Sequence, residues 1–278
     1  MKARLCFVIG SSLLLVNLFG LFVSLRNPAI YHDRDNVFNE DITLSQEQFY
    51  AAANKVFRYR REYLEYVNYT VSKAIAHYWY DQGVEKYNLR VPFYDNFILY
   101  LASYIAPEYF QKYEFMDYHR ALERGVGLCS QAAIVLAEFL RDKGMTAKIV
   151  GLTGHVLVTA PVDEQEEQWW VFDPDYGVTL PFSLDIIEKN TAIIEPFYAK
   201  EGYSEATIAD LKLAFGPKGN TIKSGNGIEG YGLKWYYLEK SVYLLKWLLP
   251  VVLILFGLMK GLALRRPTRR SLPQVVPN

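Results

Sequence analysis

Cys129 is the residue whose type and position most directly suggest covalent chemistry. The chain has two cysteines, and the other, Cys6, lies inside an apolar run near the N-terminus. Cys129 follows Gly125-Val126-Gly127-Leu128 and precedes an apolar segment, Ser130–Lys143, that predicts a helix ended by Gly144. Backbone N–H groups and the dipole at a helix N-terminus stabilise a thiolate and can hold a developing oxyanion. Position alone leaves two interpretations open, a buried structural cysteine and a nucleophile.

A histidine and an aspartate follow where two successive strands would bring them together. His155 begins one predicted strand and Asp173 ends the next. If the strands form a hairpin with Ala160 opposite Gln168, Asp173 lies directly across from His155, and cross-strand Cβ atoms are about 5 Å apart. A thiolate–imidazolium pair held by an acidic residue is the general arrangement for cysteine-based acyl transfer. Asp175 has the same strand parity as Asp173 and is the alternative carboxylate.

Four short segments around these residues resemble the transglutaminase-like superfamily. In that family a helix opens with Gly-x-Cys and ends in Leu-Arg-x-x-Gly, and a His and an Asp-Pro lie on two successive strands. The resemblance covers residues 120–180 and rests on the order and spacing of the segments. They are Gly127-Leu128-Cys129-Ser130-Gln131-Ala132-Ala133, Leu140-Arg141-Asp142-Lys143-Gly144, Gly151-Leu152-Thr153-Gly154-His155 and Trp169-Trp170-Val171-Phe172-Asp173-Pro174.

The resemblance implies a catalytic triad of Cys129 as nucleophile, His155 as general base and acid, and Asp173 as orienting carboxylate. It also implies a papain-like α+β core, in which a helix packs on an antiparallel sheet. In the expected reaction the thiolate attacks an amide or peptide carbonyl, expels an amine and forms a thioester. Water or a second amine would then accept the acyl group. Hydrolysis by a peptidase or amidase is slightly favoured over amine transfer, because it is the commoner need outside a bacterial cell.

Four further side chains are candidates for an auxiliary role in the cleft. Gln131 and Trp169 could assist an oxyanion or shape the cleft, although Trp169 is more typical of a core residue. His119 could line the same cleft, although a helix-surface position is the simpler interpretation. Asp175 is the fourth candidate, as the alternative orienting carboxylate.

The elements that must position these residues follow from local patterns. Residues 44–90 predict helix, with Ser45 and Gln48 as a capping box, and residues 93–104 and 117–124 predict further short helices. Segments rich in β-formers predict strands, and short helices follow them. The predicted strands are Thr146–Leu152, His155–Ala160 and Trp169–Asp173, and the later helices lie near 184–189 and 205–214.

Both ends of the chain carry apolar runs of membrane length. Leu5–Leu25 follows Lys2 and Arg4 and lacks the small-residue cleavage site of a signal peptide, so it predicts an uncleaved anchor. A second run, Val242–Leu264, precedes a basic tail, and the positive-inside rule then places both termini in the cytoplasm and residues 27–240 outside. These features predict a two-pass protein of the cytoplasmic (inner) membrane of a bacterium. The bases of the tail are Arg265, Arg266, Arg269 and Arg270.

Composition and charge exclude several classes of protein. With 51% apolar residues the chain is not intrinsically disordered. The 30 basic and 30 acidic residues cancel overall, but nine of the bases and none of the acids lie in the membrane ends. Residues 27–240 therefore carry a net charge of −9, which gives no support to nucleic-acid binding. His32 and His77 lack a partner at metal-ligand spacing, so the sequence predicts neither a metal site nor a cofactor.

The sequence thus predicts an α+β fold with a transglutaminase-like core, a helical N-terminal extension and two flanking transmembrane helices. The predicted segments are the anchor 1–26, the helical lead-in 27–116, the core 117–215, a flexible connector 216–240, the second membrane helix 241–264 and a cytoplasmic tail 265–278.

Two hypotheses of function follow. The first is a membrane-anchored extracytoplasmic cysteine enzyme that acts on a protein or peptide substrate. The second is a catalytically inactive module of the same fold, which binds or scaffolds a membrane complex that handles cell-surface polymers. Whether Cys129, His155 and Asp173 converge in space is the observation that separates them.

Overall fold

The chain forms a mixed α/β domain joined to two long apolar helices. The computed structural model describes residues 2–33, 43–78, 80–216, 220–222 and 225–263, so the predicted tail and part of the predicted connector lie outside it. The α-helices are α1 Lys2–Gly20, α2 Gln46–Ala53, α3 Arg60–Ser72, α4 Gly83–Lys86, α5 Phe97–Ile105, α6 Pro107–Phe110, α7 Tyr118–Arg124, α8 Cys129–Asp142, α9 Leu184–Lys189, α10 Glu195–Lys200, α11 Glu205–Ala214, α12 Ile228–Tyr231 and α13 Leu233–Ala263, and short 3₁₀ helices span Pro28–His32 and Thr191–Ile194.

Five strands form one antiparallel sheet, and two short strands form a separate parallel pair. The strands are β1 Ala76–His77, β2 Val126–Gly127, β3 Lys148–Leu152, β4 His155–Pro161, β5 Trp169–Asp173, β6 Val178–Leu180 and β7 Thr221–Ile222. The sheet has the order β6-β5-β4-β3-β7, and β1 pairs with β2. The predicted strands at β3, β4 and β5 are confirmed to within two residues at each end.

Helix α8 is the buried centre of the domain. It packs on β3 and β4 on one side and on α3 and α7 on others, so every residue from Ser130 to Leu140 is buried. A helix surrounded by protein needs mainly apolar side chains on every face, which explains the largely apolar sequence of this segment. Gly144 follows the helix with φ of +74°, a left-handed conformation that glycine adopts without strain. The predicted helix and its end are confirmed.

The predicted register of the β4–β5 hairpin is wrong by two residues. Ala160 pairs with Trp170, not with Gln168, and Gln168 instead accepts a hydrogen bond from the Val162 N–H. In the turn, the Asp163 carboxylate accepts the N–H groups of Glu167 and Gln168, each at 2.9 Å, so Gln168 belongs to the turn and the pairing of β5 begins at Trp169. A shift of two residues leaves each side chain on the same face of the sheet, so His155 and Asp173 still share a face although the register is wrong.

The predicted continuous helix over residues 44–90 is also wrong. The capping box of Ser45 and Gln48 is confirmed and starts α2, but among the described residues of this range only α2, α3 and α4 are helical. After α3 the chain turns and enters β1, where residues 76–78 are hydrogen-bonded to residues 125–127. Pairing with a distant strand thus replaces the local helix pattern.

The predicted flexible connector, 216–240, ends in ordered helix. The Ile228 N–H donates to Glu138 Oε1 at 2.8 Å, which joins α12 to α8. Helix α13 begins at Leu233, and its Glu239 is buried and accepts the N–H groups of Met116 and Asp117, each at 2.9 Å. The last membrane-length helix therefore extends into the domain and is fixed to it.

Helices α1 and α13 are each long and apolar enough to cross a bilayer, and they pack against each other in antiparallel orientation. Asn17 donates to the Lys246 carbonyl, while a Cβ at Gly10 would lie 2.7 Å from the Pro250 carbonyl oxygen. Further along, a Cβ at Gly257 would lie 2.8 Å from Phe7 Cβ. Small residues allow this close approach, as is common between membrane helices. The pair is compatible with association with a lipid bilayer.

Candidate active site

Cys129 is the first residue of α8 and is half-buried. Leu128 precedes it in extended conformation, and no side chain caps the helix. The N–H groups of the first turn are therefore left for a negative charge at or beside the thiol. A Cβ at Gly127 would lie 2.4 Å from Gln131 Cβ, so only glycine lets β2 approach α8 this closely.

The parallel pair of β1 and β2 fixes the chain just before the thiol. Ala76 pairs with Val126 and His77 with Gly127, and the Tyr78 N–H donates to the Gly127 carbonyl at 2.9 Å. The site thus combines the N-terminus of α8 with a strand from the N-terminal half of the chain.

His155 and Asp173 form a buried hydrogen-bonded pair at the ends of β4 and β5. His155 Nε2 lies 2.8 Å from Asp173 Oδ2, and their side chains are 8% and 0% exposed. Tyr198, on α10, donates its hydroxyl to the same carboxylate oxygen at 2.7 Å. The ring of Tyr176 lies edge-on to His155, with centroids 5.5 Å apart. Asp173 and Tyr176 together fix the orientation of the imidazole.

The charges around His155 favour its protonated form. Burial alone lowers the pKa of His155, but the charge and hydrogen bond of Asp173 outweigh burial, and Cys129 and Asp175 act in the same direction. The pKa of His155 therefore lies well above its usual value. Burial, together with the charge of Asp173, also raises the pKa of Tyr198, which keeps its hydroxyl as a donor.

Cys129 and His155 come together with the carboxylate of Asp175. The Cys129 Sγ, a ring nitrogen of His155 and a carboxylate oxygen of Asp175 all lie within 4.8 Å of one another. Because Nε2 of His155 is bonded to Asp173, Nδ1 is the nitrogen left for the thiol. The three residues of the predicted triad are thus brought together, and Asp175 lies beside them. A sulfur, a nitrogen and an oxygen at this separation can also hold a metal ion.

His77 is part of this site, which the sequence did not indicate. Its Nδ1 lies 2.9 and 2.8 Å from the two carboxylate oxygens of Asp175, and its side chain is 39% exposed. The prediction placed His77 in a helix without a partner. Asp175, which His77 contacts, follows the end of β5. The parallel pairing of β1 with β2 brings His77 to it, and nothing in the local sequence indicates that pairing.

Gln131 does not take the oxyanion role considered for it. Its side chain is fully buried and its Nε2 donates to the Phe115 carbonyl at 2.8 Å, while its Oε1 accepts from the Phe115 N–H at 2.8 Å and from Arg124 at 3.1 Å. These bonds hold the segment before α7 against α8.

Trp169 and His119 also lie away from the triad. Trp169 is at the opposite end of β5 from Asp173, and its indole N–H donates to the Glu166 carbonyl at 2.9 Å. His119 is exposed, its Nδ1 faces the Tyr50 hydroxyl and its ring lies against Tyr118. The helix-surface interpretation of His119 therefore holds.

No family model, no curated protein and no solved structure matches this chain. What the fold and the site define is a mixed helix-and-sheet domain with two apolar helices and a Cys–His–Asp group.

Proposed function

We propose that the protein is a membrane-anchored, transglutaminase-like cysteine enzyme that acts on amide or peptide bonds through Cys129, His155 and Asp173. The observation that carries the proposal is the convergence of these side chains at the uncapped N-terminus of α8, with His155 Nε2 bonded to Asp173 at 2.8 Å. The packing of α8 on an antiparallel sheet supports the papain-like core that the resemblance implies.

Each residue has a defined part in the proposed reaction. The Cys129 thiolate attacks the carbonyl carbon of the substrate, and N–H groups at the start of α8 stabilise the oxyanion. As the C–N bond breaks, the His155 imidazolium gives its proton to the leaving amine, and a thioester remains on Cys129. His155 then removes a proton from the incoming water or amine, which attacks the thioester; the C–S bond breaks, the acyl group is released and the thiolate–imidazolium pair is restored. Asp173 holds the imidazole and stabilises its positive charge.

We favour water over an amine as the acyl acceptor, and a protein or peptide of the cell surface as the substrate. A hydrolase of this type would be a peptidase or amidase. The antiparallel pairing of α1 and α13 supports a two-pass arrangement, because two antiparallel spans leave both termini on one side. The membrane that we propose is the cytoplasmic membrane of a bacterium. The bases at Lys2, Arg4 and the tail then favour the cytoplasmic side for the termini.

One observation favours the inactive alternative, a binding or scaffold module. The Asp175 carboxylate lies within 4.8 Å of the Cys129 sulfur, and a like charge opposes formation of a thiolate. His77 contacts both oxygens of Asp175 and offsets this charge when it is protonated.

The proposal is tested by trapping the acyl-enzyme. Full-length protein in detergent micelles is incubated with a cell-envelope peptide mixture, quenched in acid and digested, and the peptide that carries Cys129 is examined by mass spectrometry. We expect an adduct on Cys129 that neutral hydroxylamine removes, as it removes thioesters. The adduct should be absent from Cys129→Ser and present in Cys6→Ser. Absence of any such adduct, together with full cellular function of Cys129→Ala, would contradict the proposal.

A further inference from the structure

We propose that Cys129, His155 and Asp175 form a binding site for Zn²⁺. Zinc is held by Cys sulfur at about 2.3 Å and by His nitrogen and carboxylate oxygen at about 2.0–2.2 Å, so ligand atoms in a tetrahedral site are about 3.3–3.6 Å apart. The three candidate atoms here lie within 4.8 Å of one another. Side-chain movements of about 1 Å therefore complete the coordination, and ordinary rotamer adjustment supplies movements of this size.

The groups behind the three ligands are those that zinc sites require. A metal-bound histidine usually gives its other ring N–H to a carboxylate, and here His155 Nε2 is bonded to Asp173 at 2.8 Å. Asp173 is itself held by the Tyr198 hydroxyl, so Nδ1 of His155 remains for the metal. The Asp175 carboxylate is oriented by His77 at 2.8 and 2.9 Å. This set of outer partners is an observation separate from the convergence of the ligands.

The charge of the site suits a divalent cation. A thiolate and a carboxylate carry two negative charges, and Zn²⁺ cancels both, which removes the cost of holding like charges together in a buried place. The side chains of His155 and Asp175 are only 8% and 5% exposed, so bulk water screens these charges weakly. Three protein ligands leave the fourth position to water.

Zinc binding displaces a proton and covers the sulfur. The sulfur of the thiolate–imidazolium pair is already deprotonated, so the Nδ1 proton of His155 passes to solvent when the S–Zn and N–Zn bonds form, and no oxidation or reduction takes place. A metal-bound sulfur is not free to attack a carbonyl carbon, so Zn²⁺ switches off the proposed acyl transfer reversibly. This consequence, unlike zinc binding itself, rests on the proposed function.

Cobalt substitution tests the site, because Co²⁺ occupies zinc sites and gives a thiolate-to-metal charge-transfer band. Full-length protein in micelles is titrated with Co²⁺ and then with Zn²⁺. We expect a band that saturates at one Co²⁺ per chain and disappears as Zn²⁺ displaces it. Cys129→Ser should abolish the band, Asp175→Asn should weaken binding at least tenfold, and Asp173→Asn should weaken it about 10–100-fold. Cys6→Ser and the exposed Asp185→Asn are the matched controls and should bind as the parent does.

Two results would overturn the zinc site: a band that persists in Cys129→Ser, or Asp175→Asn binding Co²⁺ as tightly as Asp185→Asn. A thermal melt of each variant confirms that it is folded. Acyl transfer is measured separately on chelator-treated protein. A Co²⁺ band without acyl transfer would contradict the proposed function and leave the zinc site standing, whereas acyl transfer without a band would contradict the zinc site alone.

Discussion

At His155 the charges of two nearby carboxylates outweigh the cost of burying a protonated ring. Asp173 contributes both a charge and a hydrogen bond, and Asp175 contributes a further charge. The consequence is an imidazolium beside the Cys129 sulfur, which is the state that a nucleophilic thiol needs.

Replacement of Asp173 by Asn should lower the pKa of His155, because the largest favourable charge is removed. NMR titration of labelled histidines measures this pKa, with His155→Gln to assign the signal. Tyr198→Phe is the control, since it removes one hydrogen bond to Asp173 and leaves the charge. Equal pKa values of His155 in the parent and in Asp173→Asn would show that the pair does not set its protonation.

The raised pKa of His155 also predicts how stability depends on pH. A group with a higher pKa in the folded state stabilises fully below its unfolded value, about 6.5, and loses that contribution as pH rises through the folded value. We therefore expect the thermal midpoint to fall as the solution becomes alkaline. His155→Gln should flatten this part of the profile. Parallel profiles for the two proteins would contradict the assignment.

Residue types and spacing were enough to find Cys129, His155 and Asp173, since each lies at the end of a locally encoded element. His77 was missed because its contact with Asp175 depends on the pairing of two distant short strands. Gln131 was misjudged because its partner, Phe115, is fixed by tertiary packing.

At the scale of elements, the approach of β2 to α8 places the thiol. Gly127→Ala should destabilise the fold by about 1–3 kcal/mol, because its Cβ would lie 2.4 Å from Gln131 Cβ. Denaturant titration measures the loss, and the alkylation rate of Cys129 should change with it. Gly151→Ala is the matched control, since a Cβ there has no atom within 4 Å. Similar stability of the two variants would refute this constraint.

Helices and strands with a strong local pattern were predictable, but the register and the pairing of strands distant in sequence were not. The largely apolar run predicted α8, and β-formers predicted β3, β4 and β5. The hairpin register was missed by two residues because the Asp163 side chain holds Gln168 in the turn. Residues 44–90 were predicted as helix because nothing in their sequence shows the partner strand of β1.

At the scale of the whole molecule, Arg26 links the first apolar helix to the site. It donates to the Tyr31 hydroxyl and the Leu44 carbonyl at 2.7 Å, and to the Leu122 carbonyl of α7. A Cβ at Gly125, just before β2, would lie 2.4 Å from a guanidinium nitrogen of Arg26. The chain at the end of the first apolar helix is therefore fixed by hydrogen bonds to the segment that leads into Cys129.

Close packing of α1 on α13 predicts a strong effect of bulk at Gly10. Gly10→Val should lower the thermal midpoint in micelles, at a cost of about 1–3 kcal/mol, because its Cβ would lie 2.7 Å from the Pro250 carbonyl oxygen. Ser12→Val places the same side chain on the exposed face of α1 and should have little effect. If both variants melt alike, the antiparallel packing is refuted.

The rate of Cys129 alkylation is the measurement that tests the central claim most directly. Full-length, chelator-treated protein is reacted with iodoacetamide at about pH 6, where a free thiol is almost wholly protonated. We predict that Cys129 reacts at least about tenfold faster in the parent than in His155→Gln, with Cys6 as the internal reference. Equal rates at Cys129 in the two proteins would contradict a thiolate–imidazolium pair, and with it the proposed enzyme.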